Sequence, residues 1–211
     1  MGIRTLADLQ HRLGDIPPGR IRMDPPPGTA TAADVTRLQA KEGVLCELVE
    51  RVLVEKTMGF RESILAMWIG RLLGEFAVLH KLGVVAGADG MMEITAGLVR
   101  IPDVSFLAWD RLPGRKIPRE PIPELAPNLA VEVLSDSNTP AEMKRKRQEY
   151  FEAGVELVWE VDPEARSVVV WTSARESTTL TDPDDTLDGG AVLPGFTTTL
   201  RELFKELDRH G

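Results

Sequence analysis

The chain has 211 residues, of which 43% are hydrophobic and 27% are charged, which is typical of a globular protein with a substantial core. Its formal net charge of -8 argues against broad, non-specific coating of nucleic acid, although a local basic strip could still bind it. Cys46 is the one cysteine, so an intramolecular disulfide and a cysteine-ligated zinc site are excluded. This cysteine usage fits a reducing compartment, and we expect a cytoplasmic protein.

The first 30 residues differ in composition from the rest of the chain. Residues 1–16 interleave leucines with charged residues and predict a short amphipathic helix. Residues 17–30 contain five prolines and two glycines, which exclude a helix or a central strand. This segment is either mobile or an arm that packs on the body or on a second subunit. We predict a single domain over residues 31–211, no membrane span and no targeting segment.

Hydrophobic periodicity predicts the elements of that domain. A helix over 31–41 precedes a β-hairpin over 44–56 that turns near Glu50 and Arg51, and a long amphipathic helix follows. Together they predict an α/β (α+β) fold in which helices flank a mixed central sheet. In chain order, the later predicted elements are a long helix over 61–81, strands over 84–86, 101–107 and 128–135, a helix over 142–153, strands over 155–162, 167–172 and 177–180, and a closing helix over 200–208.

Two basic segments are candidates for contact with nucleic-acid phosphates. One is the proline-rich loop over residues 110–127, whose length is typical of a functional or mobile loop. The other is the helix over 142–153. For both segments, the alternative is an ordinary solvated surface. The candidate residues are Arg111, Arg115 and Lys116 in the loop, and Lys144 and Arg147 on the helix.

Two carboxylates in apolar strands suggest a metal site. Glu132 is the single charge in Ala-Val-Glu-Val-Leu, and burying an ionised Glu is costly unless it is paired or binds a metal. Asp103 begins another apolar strand, where its alternative role is a strand-start cap. If the two strands are adjacent, the carboxylates supply the oxygen ligands that Mg²⁺ prefers. Lys144 and Arg147 share one side of their helix, so Lys146 can face the sheet while its neighbours meet solvent.

The order and spacing of these motifs resemble one known family. It is the "putative restriction endonuclease" family of unknown function within the PD-(D/E)XK nuclease superfamily, and the resemblance covers residues 35–207. The motifs that carry it are Glu47 to Val54, Pro102-Asp103, Ala130 to Ser135, Lys146-x-x-x-Tyr150, Gly154-Val155, Leu157 to Pro163, Thr186 to Gly190 and Val192 to Phe196.

The resemblance implies a restriction-endonuclease-like core and metal-dependent cleavage of DNA. It implies that Asp103 and Glu132 bind Mg²⁺, or Mn²⁺ as a substitute, with the backbone carbonyl of Val133 completing the shell. Lys146 would be the superfamily lysine displaced from strand to helix, and Glu47 a further acidic member of the site.

The sequence departs from the family's pattern at two positions. The usual acid-x-Lys reads Glu132-Val133-Leu134, so catalysis depends on Lys146 reaching the carboxylates. Glu62-Ser63 stands where the family often has His-Ser.

Three functions are consistent with these patterns. The first is a Mg²⁺-dependent endodeoxyribonuclease, which convergence of Asp103, Glu132 and Lys146 would favour. The second is a catalytically silent nucleic-acid-binding or assembly protein, which a solvent-facing Lys146 would favour. The third is a metal-dependent phosphohydrolase with a smaller substrate. We also expect a homodimer, because cutting two strands suits two-fold symmetry and because the hairpin and the C-terminal segment are apolar and predicted to be exposed.

Overall fold

The computed structural model describes residues 5–209. His210 and the first four residues of the predicted N-terminal helix lie outside that range. The helices are α1 Leu6–Arg12, α2 Ala32–Glu42, α3 Phe60–Leu79, α4 Pro140–Glu152 and α5 Leu200–Phe204. The strands are β1 Cys46–Val49, β2 Val52–Glu55, β3 Gly83–Ala86, β4 Met92–Thr95, β5 Leu98–Arg100, β6 Val104–Ala108, β7 Leu129–Val133, β8 Leu157–Asp162, β9 Ser167–Trp171, β10 Ser177–Leu180, β11 Thr186–Asp188 and β12 Thr197–Thr199.

A six-stranded mixed sheet forms the centre of the domain, in the order β10-β9-β8-β7-β6-β3. β7 and β8 are parallel and are joined by α4, whereas the other neighbouring pairs are antiparallel. A parallel pair requires such a crossover because a tight turn cannot join two strands of the same direction. The predicted mixed sheet with flanking helices is confirmed.

The two faces of the central sheet have different covers. On one face, α3 contributes apolar side chains such as Leu65 and Ile69 to a core shared with Phe106, Val131 and Trp159. On the other face, α4 packs over β7 and β8 together with part of a second sheet. That sheet has four strands in the order β2-β1-β5-β4, and β11 and β12 form a separate pair.

The hairpin forms where the sequence predicts it. Glu50 and Arg51 both have positive φ, 49° and 61°, which is the geometry of a tight hairpin turn that matches strand twist. The helix α2 is also confirmed, with Thr31 as its N-cap and Gly43 in the left-handed region after its last residue. The closing helix is shorter than predicted, because residues 205–208 continue as a 3₁₀ turn.

The proline-rich arm packs on the body of the protein. Ile21 of the arm, with Leu9 and Ile16 of the segment before it, forms a buried cluster with the outer side of the hairpin, including Val52 and Val54. The expectation of an exposed apolar hairpin is therefore wrong, because the N-terminal segment covers it. The C-terminal apolar residues are not exposed either, since Leu200, Leu203 and Phe204 belong to the core under α3.

Candidate active site

Alternation along β7 directs Glu132 toward α4. Val131 and Val133 belong to the core beneath α3, and Ala130 belongs to the core on the opposite face of the sheet. Because strand side chains alternate between faces, Glu132 points to the same side as Ala130. It is 4% exposed, so the sequence-based expectation of a buried carboxylate is confirmed.

Lys146 on α4 joins two of the predicted carboxylates. Its Nζ lies 3.1 Å from Glu132 Oε2 and 3.3 Å from Glu47 Oε1 on β1. Tyr150, one turn later on the same helix, donates its hydroxyl proton to Glu132 Oε1 at 2.5 Å. The prediction that Lys146 faces the sheet is confirmed, and the lysine contacts Glu132, which lies 14 residues earlier in the sequence.

Asp103 lies immediately before β6, beside the carboxyl end of β7. Its Oδ2 accepts a hydrogen bond from the backbone N–H of Val133 at 2.7 Å, and its Oδ1 pairs with Lys56 Nζ at 2.7 Å. The backbone N–H of Asp103 in turn donates to the carbonyl of Val131 at 3.0 Å. These contacts place Asp103 at one edge of the site, next to the strand that carries Glu132.

Glu47 is held on two sides. Arg100 at the end of β5 pairs with its Oε2 at 2.6 Å, and the backbone N–H of Ile101 donates to its Oε1 at 3.2 Å. Arg100 also donates through Nε to Glu149 of α4 at 3.0 Å. The site therefore places three buried carboxylates (Glu47, Asp103 and Glu132) against two buried cations, Arg100 and Lys146, and the half-buried Lys56.

The two carboxylates that share Lys146 differ in proton affinity. Burial favours a raised pKa for both, but Lys146, Arg100 and Lys56 together lower the pKa of Glu47 to about 2. Burial raises the pKa of Glu132; the shared Lys146 offsets only part of that rise, and Asp103 adds to it. Burial lowers the pKa of Lys146, but Glu132 and Glu47 more than compensate and raise it, so the lysine stays an ammonium ion.

Access to this cluster is narrow. Glu47, Asp103, Glu132 and Lys146 are each at most 5% exposed. A groove of about 800 Å³ between α3 and β3 includes Asp103 among its lining residues. A molecule in solution can therefore approach the cluster from the Asp103 side.

Comparison with known proteins adds to this geometry. A family model described as "Uma2: Putative restriction endonuclease" matches residues 32–201, which is well over half of the chain. The chain belongs to the Uma2 family. The comparison with curated proteins gave no match.

The Uma2 fold has a counterpart among solved structures. A crystal structure described as a putative nuclease belonging to DUF820, from Anabaena variabilis, matches with a TM-score of 0.70. The match covers 77% of this chain and 91% of that chain, at 18% sequence identity. At this identity the likeness shows the fold alone, which is nuclease-like. The family and the fold together support a nuclease. Within residues 5–209, no helix has the length and apolar character needed to cross a membrane.

The predicted phosphate-binding residues of this Uma2 protein have varied surroundings. Arg111 pairs with Glu156 at 2.9 Å, and Arg115 pairs with Asp110 on the exposed loop. Lys116 and Lys144 are exposed, and no ion pair joins either of them to another residue of the described chain. Their role in binding nucleic acid stays a prediction.

Arg147 does not lie on the solvated face that the sequence suggested. Its guanidinium stacks 3.6 Å from the ring centroid of Trp171 and pairs with Glu160 at 2.7 Å. The expectation that it meets solvent is wrong, because β8 and β9 lie under that side of α4. The cleft beside Arg147 is otherwise acidic and is lined by Glu62, Asp136, Glu160, Asp162 and Glu164. Its five carboxylates argue against this cleft as a phosphate-binding surface.

Three residues of the site were not among the candidates predicted from the sequence. Lys56 follows β2 and reaches Asp103 only through the packing of the small sheet on the central one. Arg100 is the last residue of β5 and pairs with Glu47 on β1, the neighbouring strand of the small sheet. Tyr150 was part of the Lys-x-x-x-Tyr motif, and its spacing of four from Lys146 already placed both side chains on one helix face. That spacing was the signal that could have identified it as a site residue.

The pKa of Glu47 predicts acid sensitivity of the fold. Because the folded-state pKa of about 2 lies below the ordinary value of 4.5, ionised Glu47 stabilises the protein above the ordinary value. That stabilisation is lost as the pH falls from about 4.5 toward 2. We expect the free energy of unfolding, measured by urea titration of tryptophan fluorescence, to fall less steeply over this range in Glu47→Gln than in the wild type. Glu152→Gln, which changes an exposed carboxylate, should match the wild type. Equal slopes for Glu47→Gln and the wild type would contradict the assignment.

Proposed function

We propose that the protein is a Mg²⁺-dependent endonuclease that hydrolyses DNA phosphodiester bonds. The observation that carries the proposal is the contact of Lys146 with Glu132 and Glu47, beside Asp103. Two carboxylates that bind a divalent metal and an ammonium that stabilises developing negative charge are the groups that phosphodiester hydrolysis needs.

The donors suit Mg²⁺ in chemical type. In proteins, this ion prefers carboxylate and carbonyl oxygens. The four carboxylate oxygens of Asp103 and Glu132 each accept one of the contacts described above, from Lys56, Val133, Lys146 and Tyr150. A carboxylate oxygen has two lone pairs, so each keeps one for a metal. Among residues 5–209, no group of three or more acidic, histidine or cysteine side chains is arranged to hold a metal ion. The proposed ligand set has only two acidic side chains, Asp103 and Glu132, together with the Val133 carbonyl, and water fills the remaining positions.

The metal would polarise the phosphate and lower the pKa of its bound water. The protein's own residues orient the reacting groups and neutralise the negative charge that develops on the phosphate. Lys146 places a positive charge where the scissile phosphate gains negative charge, and Glu47 fixes the position of that ammonium. Burial and Glu132 raise the pKa of Tyr150 well above its ordinary value, so its hydroxyl stays protonated and orients Glu132. In the proposed substrate complex, Lys116 and Lys144 contact phosphates outside the site.

A cleavage assay tests this function. Plasmid DNA, single-stranded DNA, single-stranded RNA and a small diester such as bis(p-nitrophenyl) phosphate would be incubated with the protein and Mg²⁺ or Mn²⁺. We expect the DNA to be cut with metal and to remain intact with EDTA. Hydrolysis of the small diester alone would support a phosphohydrolase with a smaller substrate instead of a nuclease. Cutting of RNA alone would show that the substrate is RNA instead of DNA. Cutting that persists in EDTA would overturn the metal requirement.

The burial of the site favours one second candidate. Because the charged residues of the cluster are paired and nearly inaccessible, they also suit a catalytically silent nucleic-acid-binding or assembly protein on the same fold. Isothermal titration separates the two candidates. Mg²⁺ binding that is weakened by Asp103→Asn supports the enzyme, whereas DNA binding with neither metal binding nor cleavage supports the silent protein.

We also propose that the protein is a homodimer formed through the outer face of α3. Met67, Val78 and Leu79 on this helix are each 75% exposed. Between them lie Arg71 and Glu75, which are exposed and form an intrahelical pair at 2.8 Å. Two copies of α3 can pair antiparallel about a two-fold axis that crosses the helix at the level of Leu73. In this arrangement, Arg71 of each copy faces Glu75 of the other, and Met67 faces Leu79. This self-complementarity of charge and apolar surface argues for a second copy as the occupant. Because Met67, Arg71 and Val78 also line the groove beside Asp103, the proposed dimer places the two grooves at its interface.

A charge exchange tests the dimer by light scattering coupled to size-exclusion chromatography. Arg71→Glu places two acidic residues opposite each other across the interface, so we expect it to dissociate the dimer. Arg71→Glu/Glu75→Arg should restore the dimer, because it re-creates the pairing with the charges exchanged. Arg37→Glu, which disrupts an exposed pair with Asp34 on α2, serves as control. A monomeric wild type, or an Arg71→Glu variant as dimeric as the wild type, would refute the proposal.

A further inference from the structure

The N-terminal segment that precedes the family-matched region contacts the helix that carries Lys146. We infer that α1 and the arm that follows it form a strap over the start of α4, and that Arg20 is a positioning residue for Lys146. The strap is defined here as residues 5–22. Its effect on catalysis rests on the proposed nuclease function, whereas its effect on α4 does not.

Arg20 is a buried charge with four separate contacts. It is 6% exposed, and its two terminal nitrogens donate to the Glu142 carboxylate at 3.0 and 2.8 Å. Its Nε donates to the Glu55 carbonyl at 2.9 Å, and its Nη1 donates to the Ser137 carbonyl at 3.2 Å. One guanidinium thus joins β2, the loop before α4, and the first turn of α4. The planar, two-pronged geometry of arginine suits this arrangement, and lysine cannot reproduce it.

The main chain of the strap also touches α4 directly. Gly14 has φ +93°, and a Cβ at this position would lie 2.6 Å from both the Cα and the N of Glu142. Such a distance is impossible for a side chain, so this approach requires glycine. Thr139, the N-cap of α4, donates its hydroxyl to the Gly14 carbonyl while its oxygen accepts the Glu142 N–H at 3.0 Å. The helix start is therefore fixed by the strap rather than by α4 alone.

A second contact lies one turn further along α4. Arg145 donates to the carbonyl of Arg12 in α1 and pairs with Glu50 at the hairpin turn at 3.0 Å. It also pairs with Glu149 at 2.7 Å, and Glu149 accepts from Arg100, the partner of Glu47. An alternating series of charges therefore connects the strap to the buried cluster.

The spacing along α4 explains why this matters for Lys146. Glu142, Lys146 and Tyr150 lie four residues apart, so they share the inner face of the helix, and all three are buried. Arg20 pairs with Glu142, and both Lys146 and Tyr150 contact Glu132. Because Lys146 reaches its carboxylates at 3.1 and 3.3 Å, a shift of the helix start by about 1 Å would break those contacts and could cost about 10²-fold in rate.

The experiment compares Arg20→Met with Arg22→Met in the full-length chain. Methionine keeps the apolar length of either arginine and removes its charge. Arg22 is a matched control on the same arm, because it also forms two ion pairs, with Glu42 and Glu55, but at the surface. The readouts are amide hydrogen exchange of α4, followed by mass spectrometry, and kcat and KM for DNA cleavage. Glu142→Gln supplies a second variant, which keeps the shape of the carboxylate, in case Arg20→Met does not fold.

For Arg20→Met we expect amide exchange at least tenfold faster in residues 141–150, with exchange in β7 and β8 unchanged. We expect kcat to fall by about 10- to 100-fold while KM changes less than threefold. Glu142→Gln should show smaller changes in the same direction, and Arg22→Met should show neither. Wild-type exchange in α4 of a folded Arg20→Met or Glu142→Gln protein would overturn the strap. Faster exchange with wild-type kcat would overturn the positioning role. If the wild type cuts no DNA, the nuclease proposal fails, and the exchange data still decide on the strap.

Discussion

Asp103→Asn is expected to reduce metal-dependent DNA cleavage on the order of 10³-fold, the largest effect on activity among these predictions. The amide removes the negative charge that would hold the metal beside Glu132, and metal binding contributes several kcal/mol to transition-state stabilisation. The variant also leaves Lys56 without the carboxylate that it contacts at 2.7 Å. The measurement is the initial rate of plasmid nicking at saturating Mg²⁺, together with the Mg²⁺ affinity from calorimetry.

The matched control for this variant is Asp208→Asn. Asp208 also pairs with a cation, Arg166, but at the protein surface near the C-terminal end of the described chain. Its substitution should leave the nicking rate within about twofold of the wild type. If Asp103→Asn cuts as fast as Asp208→Asn, Asp103 is not a metal ligand and the proposed site is misplaced. Because both variants have the same chemical change, a general effect of charge on purification or folding would appear in both.

Lys146→Met is expected to produce the largest loss of stability, about 3–5 kcal/mol in the free energy of unfolding at pH 7. Without the ammonium, Glu132 keeps only the Tyr150 hydrogen bond for a carboxylate that is 4% exposed. Glu47 is less affected because Arg100 still pairs with it. The loss should be smaller at about pH 5, because burial raises the pKa of Glu132 and protonation relieves the unpaired charge. Urea unfolding at the two pH values measures both effects.

A second substitution separates the charge effect from lost packing. Lys146→Met/Glu132→Gln should recover most of the lost stability, because neither buried side chain is then charged, but it should not recover cleavage. Lys144→Met, two residues earlier on the exposed side of α4, should change stability by less than about 0.5 kcal/mol. If the double variant is as unstable as Lys146→Met, the ion pair with Glu132 is not the cause of the loss.

Much of the fold could be predicted from local sequence. The hairpin, α2, α3 and the strand that carries Glu132 each have a periodicity or a capping residue that depends only on near neighbours, such as Thr31 and Gly43 around α2. The burial of Glu132 and the inward direction of Lys146 could also be predicted, because strand alternation and helical spacing fix which residues share a face. The packing of Arg147 on Trp171 was not predicted, because β9, which supplies Trp171, lies 24 residues further along the chain.

The sequence by itself determined most of the elements, the burial of Glu132 and the inward direction of Lys146. Tertiary structure alone decided which cations pair with the buried carboxylates of Asp103, Glu47 and Glu142. Lys56, Arg100 and Arg20 come from the hairpin, the small sheet and the N-terminal strap, and their partners are 47, 53 and 122 residues away in sequence. No local propensity encodes such a contact, because its stability depends on burial of both charges, and burial exists only after the layers have packed.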